Sequence, residues 1–308
     1  MKPVRVFVVG CPRSGTTLVQ SRLSAHGGLS TFPETQLMPQ LVGMQRLRAG
    51  LAKCRSPRES FADTVIGLLS KFGYGRSTKA AYQRRLLEIG QHIDSPEFRE
   101  WQFPATRAIG PRIDYAIRQF DAISRREGTL GWIEKSPTHL RYIDLIQKHV
   151  PDALFVHVIR DGRATVASIW EAVKKDYHAW RAAFPTIDSC VTTWNNDLNR
   201  TLQQEAHPHH LVLNYHEFCE QPDSYLETVW RWLGLPEAKV LEAPVNSTGQ
   251  SGATQTVLPY EKWKASTEQS IKDYGLEKYM KLFSEEEQVT IAKQLTNNGD
   301  VSSLGKLE

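Results

Sequence analysis

Apolar positions along the chain fall into short β-branched runs, each followed by a helical pattern. VRVFVVG at 4–10 is apolar almost throughout and predicts a strand buried on both faces, after which GTTLVQSRLSAH at 15–26 switches to three-to-four helical spacing. The pair recurs in ALFVHVIRDGRATVASIWEAV at 153–173, where Pro151 ends the preceding helix and Asp161-Gly162 makes the turn into the next. TLGWIEKSPTHLRYIDLIQKHV at 129–150 predicts another strand, a turn, and a helix with Ser136 as N-cap and Pro137 in its first position. HLVLNYHEF at 210–218 gives a further strand, PDSYLETVWRWLGLP a helix stopped by Gly234 and Pro236, and GLSTFPET at 28–35 a short strand.

Strands alternating with helices imply an α/β fold, a parallel sheet flanked by helices whose functional loops lie at the strands' carboxyl ends. Residues 36–128 break the alternation. LVGMQRLRAGLAKC, PRESFADTVIGLLSKF and TKAAYQRRLLEIGQHI read there as helices with no clear strand between them, a helical insertion that either shapes a binding pocket or caps the fold. The polar stretch NSTGQSGATQT at 246–256 predicts a loop that opens a C-terminal segment of loop and helices over 246–308. A single domain over 1–308 follows.

Charge adds little to this picture. Lys and Arg number 38 against 34 Asp and Glu, a net +4 that suits small anionic ligands or an ordinary solvated surface and lacks the basic stripe of a nucleic-acid binder. Cys11, Cys54, Cys190 and Cys219 are widely spaced, which indicates neither a disulfide framework nor a zinc site. MKPVRVFVVG runs straight into a strand, too short for a signal-peptide core, and no segment reaches membrane-span length, so a cytoplasmic protein is expected. His178 and the HPHH stretch at 207–210 read as loop residues, and no metal ligand is assigned.

The chemistry is concentrated in the first loop. Gly10-x4-Gly15-Thr16-Thr17 has the frame of a phosphate-binding loop, P-loop-like, with Thr16 where a nucleoside triphosphatase carries lysine. Such glycines let backbone N–H groups converge on an anion, and the following helix adds its positive end. Without the lysine a triphosphate loses its main counter-charge, so a less charged 5′ group is favoured, with Arg13, Ser14, Gly15, Thr16 and Thr17 as the contacting residues. Arg160 ends a second strand and Ser168 lies two helical turns on, a guanidinium and a hydroxyl suited to a phosphate monoester; a strand-end salt bridge of Arg160 with Asp161 or another acid is the structural alternative.

PRSGTT followed by RDGRATVAS resembles the pair of loops with which sulfotransferases bind 3′-phosphoadenosine 5′-phosphosulfate, PAPS, leaving the bisphosphate PAP as product. The resemblance extends through FPET, WIEKSPTHL, TTWNNDLN and LNYHEF, from Val4 to about Pro236, and is closest to tyrosylprotein sulfotransferases and their bacterial relatives. It implies that the first loop takes the 5′-phosphosulfate, that Arg160 and Ser168 take the 3′-phosphate with Tyr215 nearby, and that Glu34 is the base. It implies further that Lys135 contacts the bridging oxygen and the sulfuryl group, and that KWKASTEQSIK at 262–272, with Ser266 and Lys272, closes over the nucleotide.

Sulfuryl transfer is an in-line displacement that needs a base for the acceptor hydroxyl and positive charge on the transferring and leaving groups. Glu34, Arg13 and Lys135 supply these without a metal, while Glu34 as a capping acid and Lys135 as a solvated lysine are the bland readings. His139 is a rival base, since some sulfotransferases use histidine. Trp132, Trp170, Trp180 and Trp194 read as core and pocket-wall aromatics. An atypical P-loop kinase or NTPase, with Asp161 holding the metal, and a non-catalytic nucleotide-binding module remain as alternatives. The acceptor stays open among a peptide tyrosine, a carbohydrate, a lipid and a polyketide hydroxyl, as does the oligomeric state.

Overall fold

The structure, a computed structural model, describes residues 2–42, 79–106, 108–175, 178–236 and 275–305. Within these residues β1 (Val4–Gly10) leads to α1 (Thr16–Ser24) and β2 (Leu29–Thr31). The helices α2 (Lys79–His92), α3 (Pro96–Arg99) and α4 (Ile109–Glu127) come before β3 (Gly131–Lys135). A 3-10 turn over Pro137–Tyr142 and α5 (Ile143–His149) lead to β4 (Leu154–Ile159), then α6 (Gly162–Lys174), α7 (His178–Ala183) and α8 (Ile187–Leu202). After β5 (His210–Asn214) follow α9 (Tyr215–Glu220) and α10 (Pro222–Trp232), and α11 (Gly275–Leu282) and α12 (Glu285–Gln294) lie near the C-terminus.

The five strands form one parallel sheet in the order β2-β3-β1-β4-β5. Strand direction alternates β1 side chains between two cores. Phe7 and Val9 pack with Phe32, Phe120, Trp132 and the α2–α4 helices on one face, whereas Val6 and Val8 meet Leu18, Val19 and Leu23 of α1 on the other. Gly131 is fixed by this pairing: a Cβ there would lie 1.9 Å from the Val4 carbonyl oxygen. The chain leaves β1 toward β3 and β2 on one side and later fills β4 and β5 on the other, so the direction of winding changes at β1. The loops after Gly10, Lys135, Ile159 and Asn214 therefore share one edge of the sheet, the edge at which open parallel sheets bind ligands.

The α/β class and the strands agree with the pattern in the sequence, and the local caps explain where helices start. Asp161 accepts from the N–H groups of Arg163 and Ala164 at the head of α6, and Thr186 and Ser284 head capping boxes at α8 and α12. Ser136 departs from expectation: its hydroxyl does not cap, the turn after it is 3-10, and its oxygen is used elsewhere. Of the 36–128 stretch, TKAAYQRRLLEIGQHI is helical as read, α4 is a helix the periodicity did not single out, and no strand occurs among its described residues. PRESFADTVIGLLSKF and all but the first two residues of LVGMQRLRAGLAKC lie outside the described residues, as do Ser266 and Lys272. Among the described residues no helix is long and apolar enough to cross a membrane.

Two buried histidines join β4 and β5. His157 Nε2 lies 2.8 Å from His210 Nδ1, His157 Nδ1 3.2 Å from Thr201 Oγ1, and His210 Nε2 2.9 Å from Gln147 Nε2. A single proton chain from Gln147 through His210 and His157 to Thr201 satisfies them only as neutral rings. Burial, then the neighbouring His210, pushes His157 down to about 3; burial, then His207 and His209, pushes His210 down to about 4. Both lie below the ordinary 6.5, so the unfolded chain binds more protons and the stability present above that pH is lost as pH falls toward 4 and 3. Denaturant unfolding measured from pH 7 to 4.5 is expected to show stability declining with a slope of up to about 1.4 kcal/mol per pH unit for each ring. His157→Gln is expected to flatten that decline, and an unchanged slope would show that the pair is not its source.

Candidate active site

The loop after β1 is held in an unusual backbone. Ser14 N–H donates to the Cys11 carbonyl at 3.1 Å, Arg13 has φ 72° and Gly15 φ 98°. A left-handed arginine is sparsely populated backbone of the sort retained at ligand sites. At Gly15 a Cβ would stand 2.1 Å from the Tyr215 ring, so only glycine admits this contact at this backbone angle. With Gly15 as N-cap, α1 begins at Thr16, and the N–H groups of its first turn have no carbonyl four residues back to take them. Helix starts of this kind attract anions, and Thr16 and Thr17 are the first two residues of this one. Ser14 is buried and lines a cavity of about 10 Å³ together with Cys11, Arg160 and Trp194.

The loop after β4 meets the first one. Arg160 Nη1 donates to the Arg13 carbonyl at 3.3 Å, and Arg13 Nε donates to Ser168 Oγ at 3.2 Å. The Arg160 guanidinium lies 4.8 Å from the Tyr215 ring centroid, a cation–π contact, and Trp194 Nε1 donates to the Arg160 carbonyl at 3.0 Å. Arg13, Arg160, Ser168 and Tyr215 are thus brought together from three separate segments. The predicted alternative of an Arg160 bridge to Asp161 gives way to another pairing, because Asp161 caps α6 and binds Arg163 at 2.6 Å. Both carboxylate oxygens of Asp161 are committed to Arg163 and the helix N-terminus, so the residue is poorly placed to hold a metal.

Glu34 and Lys135 meet at the end of β3. Lys135 is fully enclosed, and its Nζ donates to Glu34 Oε2 at 2.5 Å, while Gln36 Nε2 donates to Glu34 Oε1. Arg85 of α2 donates to the Glu34 carbonyl at 2.7 Å. A buried ammonium is tolerated when a carboxylate neutralises it, and Glu34 stands where it can do so. His139 takes a different place: fully buried, its Nε2 accepts from Met38 N–H at 3.1 Å, which leaves the ring proton on Nδ1, 2.9 Å from Glu134 Oε2. Burial alone would push the Glu134 carboxyl up, but the His139 ring with Ser136 and Thr35 holds it below the usual carboxylate range.

Gln36, Arg85, Trp194 and Glu134 are site residues that sequence reasoning either missed or read as core. Gln36 alone carried a local signal, two residues from Glu34. The others act across roughly 34 to 100 residues of chain.

Residues 3–239 match the family described as the sulfotransferase family. Protein-tyrosine sulfotransferase 1 of Danio rerio is 24% identical over 276 residues, covering 88% of this chain and 63% of that protein. Protein-tyrosine sulfotransferase 1 of Homo sapiens is 21% identical over 272 residues, covering 87% of this chain and 60% of that protein. The chain thus spans about three fifths of the length of these relatives. Among solved structures, the sulfotransferase domain of the Synechococcus PCC 7002 olefin synthase superposes with a TM-score of 0.51 at 18% identity, covering 95% of this chain and 94% of that one, a likeness of fold.

Gly15→Ala combines left-handed backbone with a methyl group inside the Tyr215 ring contact. It is expected to lower unfolding stability by about 1–3 kcal/mol in urea titration. A variant as stable as the parent would show that the loop adopts another backbone in solution.

Proposed function

The chain belongs to the sulfotransferase family, and on that premise we propose that it moves a sulfuryl group from PAPS to an acceptor hydroxyl by in-line displacement. One observation carries the reading: two arginine-bearing loops interlock through Arg13, Ser168 and Arg160 beside a helix start that has threonine in place of the phosphate-loop lysine. That donor set fits a nucleotide with an anionic group at each end of its ribose and little more than a diester-like charge at the 5′ position.

Bound PAPS would supply the sulfuryl group and the leaving bisphosphate. Gly15, Thr16 and Thr17 would hold the 5′ end through first-turn N–H groups and hydroxyls, with Arg13 adding charge. Arg160 and Ser168 would hold the 3′-phosphate, the Arg160 guanidinium kept over the Tyr215 ring. Ser14, buried and with its N–H spent on Cys11, would shape the cradle rather than fill it.

Glu34 would remove the acceptor proton, and Lys135 would stabilise charge on the leaving oxygen. Their ion pair gives the two roles an order. While Lys135 neutralises Glu34 the carboxylate is a weak base, and it gains basicity as the ammonium turns to negative charge building on the donor side. His139 serves this reaction poorly as a base, because it is enclosed and both ring nitrogens face polar partners. The kinase or NTPase alternative needs a free metal-holding carboxylate at the β4 end, and Asp161 is committed. The names of the curated relatives make a tyrosine hydroxyl in a peptide the first acceptor to try.

Calorimetry in buffer containing EDTA is expected to show PAP binding, weakened by about 10- to 100-fold in Arg160→Ala. Glu34→Gln is expected to keep PAP affinity and to lose about 100- to 10,000-fold in PAPS-dependent sulfation of a tyrosine peptide, followed by mass spectrometry. Binding of ATP with Mg²⁺ in preference to PAP would overturn the proposal.

A further inference from the structure

The segment that carries Glu34 is shaped by side chains a hundred residues away. Thr35 N–H donates to Glu134 Oε1 at 3.2 Å, Gln36 N–H to Ser136 Oγ at 2.9 Å, and Met38 N–H to His139 Nε2 at 3.1 Å. The receiving groups all lie in EKSPTH, residues 134–139, and each of the three side chains is fully buried. Their proton directions leave a single arrangement. Glu134 Oε1 also accepts the Thr35 hydroxyl at 2.7 Å and the Ser136 hydroxyl at 2.6 Å, so Ser136 Oγ is left to accept from Gln36. Thr138 donates its hydroxyl to Gln36 Oε1 at 2.9 Å, which turns the Gln36 amide nitrogen onto Glu34. Gln36 is held at φ 54° by these contacts, a left-handed backbone that needs such support.

We propose that Glu134 and His139 are positioning residues for the Glu34 base, a buried carboxylate–imidazole pair that fixes residues 34–38 so that Glu34 and Gln36 face Lys135. The inference rests on the reading of Glu34 as the base. Neither member of the pair takes part in proton transfer: both are enclosed, Glu134 Oε1 accepts from Thr35 and Ser136, and His139 Nε2 accepts from Met38. The negative charge of Glu134 keeps the His139 proton on Nδ1, and Nε2 thereby stays an acceptor for Met38. An amide in its place must set one donor against another. Its nitrogen would face either the His139 N–H, forcing the ring proton onto Nε2 against Met38, or the Thr35 and Ser136 donors.

Amide hydrogen exchange tests this without an acceptor. Glu134→Gln and Thr35→Val are expected to raise exchange at residues 35, 36 and 38 by about tenfold or more, and Thr35→Ser, which retains the hydroxyl donor, to exchange as the parent does. PAP affinity is expected to stay within about twofold in all three, while kcat for PAPS with a tyrosine peptide falls about 10- to 100-fold in Glu134→Gln and Thr35→Val and recovers in Thr35→Ser, with little change in the KM for the peptide. Parental exchange in a folded Thr35→Val, or equal loss of turnover in the Ser and Val variants, overturns the inference. Should Glu134→Gln fail to fold, the Thr35 pair still decides. Glu34→Gln in the same assay separates the two ideas. If it turns over like the parent, the base reading fails; if it is inactive while Glu134→Gln and Thr35→Val are normal, the positioning role alone fails.

Discussion

An ammonium group enclosed at the end of a central strand has to be neutralised, and Lys135 is so enclosed. Its partner Glu34 comes from the other side of β3, beyond the edge strand β2, so the pair ties the chain after β2 to the chain after β3. Much of the surrounding order follows from that requirement. Residues 35–38 must pass close to the β3 end, their N–H groups leave water, and the buried acceptors of the 134–139 segment receive them. Arg85 fixes the Glu34 carbonyl from α2, which joins the helices on that face to the same point.

A second constraint is electrostatic and lies around β1. Two guanidinium groups from different loops converge beside a helix N-terminus, an arrangement that concentrates positive potential. Neutral groups are among their partners: the Arg13 carbonyl and the Tyr215 ring for Arg160, the Ser168 hydroxyl for Arg13. The nearest acid in sequence, Asp161, is turned onto its own helix and Arg163. The left-handed Arg13 backbone is part of what holds this loop in place.

Away from this edge the sheet is joined by groups that stay neutral. His157 and His210 pass one hydrogen-bond chain between β4 and β5, with Thr201 of α8 at its end. Charged rings at these positions would break the chain and desolvate a cation.

The sequence by itself determined the parts whose cause is local. The β1–loop–α1 unit was legible because β-branched alternation, Gly15 and the helical spacing after Thr16 act within a few residues of one another, and Asp161-Gly162 set the start of α6 in the same way. Arg13, Arg160, Glu34 and Lys135 stood at or just beyond strand ends, with Ser168 two helical turns after Arg160, and could be named as candidates from that placement and the loop resemblance. Tertiary structure decided what each one touches. Ser136 looked like a helix cap and instead links Gln36 to Glu134, and His139, the rival base beside Glu34, receives Met38. These pairings span about a hundred residues of sequence and depend on which strands lie side by side, a property of sheet order that no local pattern of residues encodes.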